Sequence, residues 1–143
     1  VLTKPDRLTD DEFDLIKQHP DIGYRILCDI PAMKELLGGV RHHHERWDGR
    51  GYPGGLEGAD IPLLGRLVAV VDAFDAMRSA RAYRAGMKAE QALDQIREGS
   101  GTQFDPVVIF GFFLGIGIAT QKRIATSSYR LSLLLSIRFF EVE

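Results

Sequence analysis

Glycine and proline are concentrated in one segment of the chain, residues 49–62, where seven positions carry one or the other. Such a segment forms a loop, because glycine loses the most conformational freedom in regular structure and proline lacks the amide proton. On both sides of it, helix-start signals and helical spacing of apolar residues occur. No two-residue alternation appears before residue 120. The sequence therefore predicts an all-α bundle.

The first part of the chain contains three helix-start signals. Thr9 and Glu12 have the spacing of a reciprocal capping box, so a helix should begin at about residue 10. Pro20 and Pro31 lie where proline suits a first helical turn. We expect the helices that they open to bury six apolar residues: Ile22, Ile26, Leu27, Met33, Leu36 and Leu37. Residues 40–46 are predicted to continue as a helix up to the loop.

The strongest helical pattern in the chain covers residues 63–79, directly after the loop. Its apolar residues at helical spacing are Leu64, Leu67, Val68, Val71 and Phe74. A further helix is predicted over residues 89–98. Asp105 followed by Pro106 is an N-cap with proline at the first helical position, which should start the last helix.

The composition is that of a globular domain and argues against several classes of protein. The 143 residues, 45% apolar and 27% charged, suffice for one domain with a core. A net charge of −2 provides no field that would favour DNA, RNA or an anionic membrane. The single cysteine excludes an internal disulfide and suits the cytoplasm. The apolar run 107–119 is too short to span a bilayer, and residues 124–143 fit either a strand or an amphipathic helix.

Three consecutive histidines, His42, His43 and His44, precede the loop. Each neutral imidazole carries one donor and one acceptor, for which a hydrophobic core offers no partners. A divalent metal ion is such a partner. Because successive helical side chains point about 100° apart, only two of the three can address one site. The alternative is a partly exposed helix end with one hydrogen-bonded histidine in the core.

Asp72 lies among small and apolar neighbours in the predicted helix 63–79. A carboxylate on an otherwise buried face must be paired or bound to a cation, because desolvating it alone costs several kcal/mol. The pattern favours metal ligation, and the alternative is a salt bridge to an arginine. His19, which precedes a helix-opening proline, fits a ligand or a simple cap equally well.

Arg81 and Arg84 follow the same helix, and their spacing suits bidentate capture of phosphate oxygens. By spacing alone, solvated surface charge is the more frequent explanation of such a pair. Tyr52 lies eight residues beyond His44, where its ring could stack on a nucleobase.

Taken together, these motifs resemble the HD-GYP family, a branch of the HD-domain metal-dependent phosphohydrolases. The resemblance covers residues 2–114, and its motifs occur in the family's order. The residues that carry it are Lys4-Pro5, Leu8-Thr9, Gln18-His19-Pro20-Asp21-Ile22-Gly23, His43-His44-Glu45-Arg46-Trp47-Asp48-Gly49, Gly51-Tyr52-Pro53, Asp72, Asp75-Ala76, Arg81, Tyr83-Arg84, Gly99, Gly101-Thr102 and Phe104-Asp105-Pro106.

The resemblance implies an HD-domain helical bundle with two or three divalent metal ions, iron or manganese, and hydrolysis of the bacterial second messenger cyclic di-GMP. The implied metal ligands are His19, His43, His44 and Asp72, of which His43, His44 and Asp72 are also catalytic. The implied substrate-binding residues are Tyr52, Arg81, Arg84 and Asp75. Bound ions would activate water and offset charge on the phosphoryl oxygens.

Two departures from the family pattern affect these expectations. The family's His-Asp pair is absent, since none of the four histidines precedes an aspartate. We therefore expect residues 1–114 to be an HD-GYP domain without its N-terminal His-Asp part, an enzyme fragment with little activity of its own. Residues 115–143 form an atypical tail. The alternative is a non-catalytic signalling module that binds nucleotide or a partner. An upstream sensor or receiver domain and a homodimer are further expectations.

Overall fold

A computed structural model describes residues 9–80 and 85–126, with side chains up to residue 117. Within them the chain forms six α-helices: α1 (Asp10–Ile16), α2 (His19–Leu27), α3 (Leu37–His42), α4 (Leu63–Arg78), α5 (Ala89–Glu98) and α6 (Pro106–Thr126). Two 3₁₀ helices cover Pro31–Leu36 and Gly58–Asp60. These residues contain no strand, only an isolated bridge between Ser100 and Phe104. The predicted all-α class is confirmed.

The local helix-start signals act as expected. The amide of Glu12 donates to the Thr9 hydroxyl at 3.3 Å, and the amide of Thr9 donates to the Glu12 carboxylate at 2.7 Å. Asp105 accepts a hydrogen bond from the Val107 amide at 2.7 Å, directly before α6. The helix predicted after Pro31 begins at that residue, but its first six residues form a 3₁₀ helix.

The helix predicted over residues 40–46 is confirmed up to His42 and wrong beyond it, because α3 ends there. The Glu45 amide donates to the His42 carbonyl at 3.2 Å, which closes a turn instead of continuing the helix. His43 and His44 therefore lie in a turn, where the angle of about 100° between successive helical side chains does not apply.

The hydrophobic core of the described residues lies where α4, α5 and the start of α6 meet. Its buried apolar side chains are Ile61, Val70, Ala92, Ile96, Phe104, Val108 and Ile109. A buried ion pair accompanies them, with Nη1 of Arg66 2.7 Å from Oδ2 of Asp105. This pair joins α4 to the residue that caps α6.

The predicted buried faces of α2, α4 and the segment after Pro31 are wrong in part. Ile26 and Val71 are 67% and 57% exposed, and Ile22, Leu36, Leu67 and Val68 are exposed as well. α4 buries Gly65 and Val70 instead. Apolar residues surround α4 on nearly every side, so their spacing does not identify the face that packs against its neighbours.

Close packing brings the helices that carry the histidines together. A Cβ atom on Gly65 of α4 would lie 2.9 Å from the His42 carbonyl oxygen at the end of α3. Glycine is therefore required for this approach. Arg41 of α3 donates to Asp21 of α2 at 2.8 Å, which links the third helix of the group.

The chain divides into two compact units, Val1–Ile109 and Phe110–Glu143. In the second unit, the rings of Phe112 and Phe113 meet edge to face with centroids 5.7 Å apart. No helix in the described part of the chain has the length and hydropathy to cross a membrane. The alternatives considered for residues 124–143 fall mostly outside the described residues, since only the last turn of α6 belongs to them.

Candidate metal centre

Three of the histidines converge on one point. Nε2 of His19 lies 3.2 Å from Nε2 of His43 and 3.2 Å from Nε2 of His44. One ring nitrogen from each residue lies within 4.8 Å of the other two. His19 is the first residue of α2, and the other two follow the last residue of α3, so a helix start and a helix end meet at the cluster.

The turn after α3 explains how two consecutive histidines share one site. The rings of His43 and His44 have centroids 4.2 Å apart, a proximity that the angular spacing of a helix would not give. His42 lies on the helix and points elsewhere, with Nδ1 3.2 Å from Oε1 of Glu45. The structure thus brings two of the three adjacent histidines to His19 and pairs the third with a carboxylate.

Backbone carbonyls determine the tautomers of His19 and His43. Nδ1 of His19 lies 2.7 Å from the Ile16 carbonyl oxygen, and Nδ1 of His43 lies 2.8 Å from that of Val40. Because a carbonyl oxygen only accepts, each Nδ1 carries the proton and donates it. In the neutral rings the lone pairs therefore lie on the two Nε2 atoms that face each other. This is the usual arrangement of metal-binding histidines.

The nitrogen cluster has the donor chemistry of a cation site. Neutral rings whose lone pairs face each other at 3.2 Å repel unless a cation lies between them. Two nitrogens bound to one ion at about 2.1 Å, with tetrahedral or octahedral angles, lie about 3.0–3.4 Å apart. The observed separation matches this spacing, so the residues present fit a divalent metal ion.

His44 is held differently from the other two histidines. Among the residues that the structure describes, none hydrogen-bonds to its Nδ1. Instead its ring stacks on Tyr52, with centroids 4.8 Å apart and an interplanar angle of 26°. Burial, then the neighbouring His43 and His19, lower the pKa of His44 to about 4, while Asp72 acts in the opposite direction. At neutral pH the ring keeps the lone pair that a metal needs.

A buried carboxylate anchors the loop that carries Tyr52. Oε1 of Glu45 accepts a hydrogen bond from the Gly54 amide at 2.7 Å, and Oε2 accepts one from the Leu56 amide at 3.1 Å. Glu45 is only 3% exposed. Gly51 packs directly on the backbone of Glu45 and Arg46, where a Cβ atom would collide with both. We did not predict this role from the sequence, although a glutamate four residues before the glycine-rich loop was a usable signal.

Asp72 lies near the cluster, but its predicted burial is wrong, because the residue is exposed. It shares an open groove of about 480 Å³ with His19 and His43. The remaining lining is apolar and comes from α2, α3, α4 and the 3₁₀ helix: Gly23, Leu36, Gly39, Val40, Leu64 and Val68. The negative charge of Asp72 also contributes, after burial, to the raised pKa of Tyr52. The groove thus has one polar end beside the histidines.

Of the remaining predicted site residues, only Asp75 belongs to the described part of the chain. Asp75 is exposed on α4, and no described contact joins its side chain to the histidines. Arg81 and Arg84 lie outside the described residues. Their proposed role in binding phosphate stays a prediction.

Comparisons with known proteins give a consistent picture. The family model for the HD domain matches residues 1–108. The chain is 43% identical to a cyclic di-GMP phosphodiesterase of Vibrio cholerae and 45% identical to one of Thermotoga maritima. Each of the two alignments covers 78% of this chain. A crystal structure of a cyclic GMP-AMP-specific phosphodiesterase from Vibrio cholerae superposes with a TM-score of 0.57 and 25% identity, over 71% of this chain and 23% of that one.

These relatives are much longer than the chain. The matched region makes up 24% of the Vibrio cholerae relative and 31% of the Thermotoga maritima relative. The similarity therefore covers a quarter to a third of each curated protein.

Proposed function

The chain belongs to the HD domain family, and on that premise we propose that it provides the metal centre of a phosphodiesterase that hydrolyses cyclic di-GMP in bacterial signalling. The observation that carries the proposal is the convergence of three imidazole nitrogens with the spacing of metal ligands. The names of the two curated relatives support the substrate class. The same proposal includes a cytoplasmic location, a homodimer and an upstream sensor or receiver domain.

The proposed ligands are His19, His43, His44 and Asp72, for two or three ions of iron or manganese. Imidazole nitrogen suits iron and carboxylate oxygen suits manganese, and the cluster with its nearby carboxylate offers both. When bound, such ions supply activated water and charge compensation for phosphoryl oxygens. The chain itself contributes rings whose orientation is set before an ion arrives, through the carbonyls behind His19 and His43.

The proposed substrate side consists of Tyr52, Asp75, Arg81 and Arg84. Stacking on His44 places Tyr52 beside the cluster, so that a nucleotide whose phosphate approaches the metal centre would meet this residue. The two arginines would hold non-bridging phosphate oxygens through paired N–H donors. A relative specific for cyclic GMP-AMP makes that dinucleotide the natural competitor in any assay.

Metal content tests the first part of the proposal. The protein purified with iron or manganese should retain the metal after gel filtration, and the double variant His43→Ala/His44→Ala should lose most of it. Asp94→Asn is the control, because Asp94 is exposed on α5 and pairs with Arg97, away from the cluster. Equal metal content in the wild type and the double variant would exclude the assignment.

Hydrolysis and affinity test the second part. The metal-loaded full-length protein should convert cyclic di-GMP faster than cyclic GMP-AMP, and the double histidine variant should not. Replacing Arg81 and Arg84 by alanine should weaken cyclic di-GMP binding by about 2–3 kcal/mol, the range of charge-assisted hydrogen bonds, without loss of metal. Unchanged affinity would show that the arginines are ordinary surface charges.

The second candidate is a non-catalytic module that binds nucleotide or a partner protein. The same assays separate the two functions. Tight binding of cyclic di-GMP by the metal-loaded full-length protein, with no product formed, would support the binding module and exclude the enzyme.

A further inference from the structure

We propose that Glu45 is a positioning residue that holds the metal-binding orientation of His44 through the loop of residues 51–56. The inference rests on the proposed metal centre and extends it to a residue that does not reach the cluster. It also gives the buried Glu45 carboxylate a role beyond packing.

The first step concerns what orients His44. His19 and His43 each donate Nδ1–H to a carbonyl, which fixes both the tautomer and the direction of the ring. His44 lacks such a bond among the described residues. The flat face of Tyr52 at 4.8 Å is its main ring contact outside the cluster. The orientation of this third ring therefore depends on where the loop places Tyr52.

The second step concerns what places Tyr52. Its amide donates to the His44 carbonyl at 3.2 Å. Two and four residues further along the loop, the amides of Gly54 and Leu56 donate to the two oxygens of Glu45. The edge of Tyr52 also meets Phe13 of α1, with ring centroids 6.4 Å apart. The Glu45 carboxylate thus holds the part of the loop that directly follows Tyr52.

The third step concerns why a carboxylate is needed. Oε1 faces two nitrogens, the Gly54 amide and Nδ1 of His42, and Oε2 faces the Leu56 amide. Both oxygens act as acceptors, so a carboxamide of the same shape would direct an NH₂ donor at an amide N–H. Glu45→Gln therefore perturbs the anchor without opening a cavity. The NH₂ group of the glutamine and the backbone N–H that it faces would both be donors without an acceptor. Because leaving them unpaired in this buried position costs free energy, the loop should move.

A double-mutant cycle tests the inference directly. The dissociation constant for Mn²⁺ would be measured by calorimetry for the wild type, Glu45→Gln, His44→Ala and the double variant. Each single change should weaken Mn²⁺ binding. For Glu45→Gln we expect a loss of about tenfold, the lower end of the range measured when a residue that orients a metal ligand is replaced. The double variant should bind no more weakly than His44→Ala alone, because the loop then has no ligand left to orient.

Controls separate this inference from general destabilisation. Glu57→Gln changes an exposed glutamate just beyond the same loop and should leave Mn²⁺ affinity unchanged. Tyr52→Phe keeps the stacked ring and should bind Mn²⁺ as the wild type does, whereas Tyr52→Ala should behave as Glu45→Gln. The tyrosine variants keep the test available if Glu45→Gln does not fold.

The outcomes are distinguishable. If the loss of Mn²⁺ affinity in the double variant equals the product of the losses in the two single variants, Glu45 has a merely structural role. This result would overturn the inference and leave the metal centre in place. Equal affinity of Tyr52→Ala and the wild type would also overturn it. A wild type that does not bind Mn²⁺ at all would remove the proposed metal centre itself, and the inference with it.

Discussion

At the scale of single residues, the partners of a side chain decide how much of its role the sequence reveals. His43 and His44 could be identified because three adjacent imidazoles are rare and need unusual partners. The role of Glu45 could not, since its partners are backbone amides of Gly54 and Leu56, and every residue type other than proline carries such an amide. The exposure of Asp72 was missed for a related reason, because its sequence neighbours do not determine which elements pack beside it.

The ion pair at the start of the loop predicts a pH effect. Nε and Nη2 of Arg46 donate to the two oxygens of Asp48 at 2.9 and 2.7 Å. These bonds, with a further one from the Arg50 amide, lower the pKa of Asp48 from 3.8 to about 2. A depressed folded-state pKa contributes stability above the unfolded value, and this contribution is lost as the pH falls through the folded value.

We therefore expect the wild type to lose stability more steeply between pH 4 and pH 2 than Asp48→Asn, which has no carboxylate to protonate. Urea unfolding midpoints measured across this range would show the difference between the two proteins. Parallel curves would mean that the Arg46–Asp48 pair contributes no stability in solution.

At the scale of secondary structure elements, helix starts were predictable and helix ends were less so. The signals at Thr9 and at Asp105-Pro106 are local, since the cap and the amides that it binds lie within three residues. The end of α3 at His42 has no such signal, because neither glycine nor proline follows it directly. It coincides with the burial of Glu45, which requires the chain to turn towards the loop.

The contact between α3 and α4 predicts the effect of Gly65→Ala. The added Cβ would lie 2.9 Å from the carbonyl oxygen and 3.3 Å from the Cβ of His42. Since backbone atoms cannot move aside singly, α3 must shift, and the adjacent His43 and His44 should shift with it. We expect a loss of about 1–3 kcal/mol in the free energy of unfolding, the range for overpacking, together with weaker metal binding.

Gly111→Ala is the matched control for this substitution. A Cβ at Gly111 in α6 would meet nothing within 4 Å, so the higher helix propensity of alanine should leave stability unchanged or raised. Chemical unfolding of both variants, followed by circular dichroism, would measure the difference. A Gly65→Ala protein as stable as the wild type would contradict the close approach of the two helices.

At the scale of the whole molecule, the fold class followed from the absence of alternation and the number of helix-start signals. The distribution of buried and exposed apolar residues did not. Val71 and Ile26 carry the same chemistry as the buried Val70 and Ile96, and only the assembled helices separate them. The domain boundary at residue 114 stays a prediction. The match to the family model ends at residue 108, and the first compact unit ends at Ile109.

Metal binding should stabilise the whole domain. An ion that binds only the folded state, at a free concentration 100 times its dissociation constant, adds about 2.7 kcal/mol to the free energy of unfolding. Thermal unfolding in Mn²⁺ and in EDTA should differ accordingly for the wild type. The His43→Ala/His44→Ala variant should unfold at the same temperature in both. A wild type insensitive to Mn²⁺ would contradict the proposed centre.

The position of His19 at the start of α2 and of His43 beyond the end of α3 has a consequence for how the domain opens. The two residues are 24 positions apart along the chain. An ion bound by both would close a ring of polypeptide that contains α2, the first 3₁₀ helix and α3, as a reversible cross-link does. α2 could then separate from α3 only after one of the two histidines had released the ion.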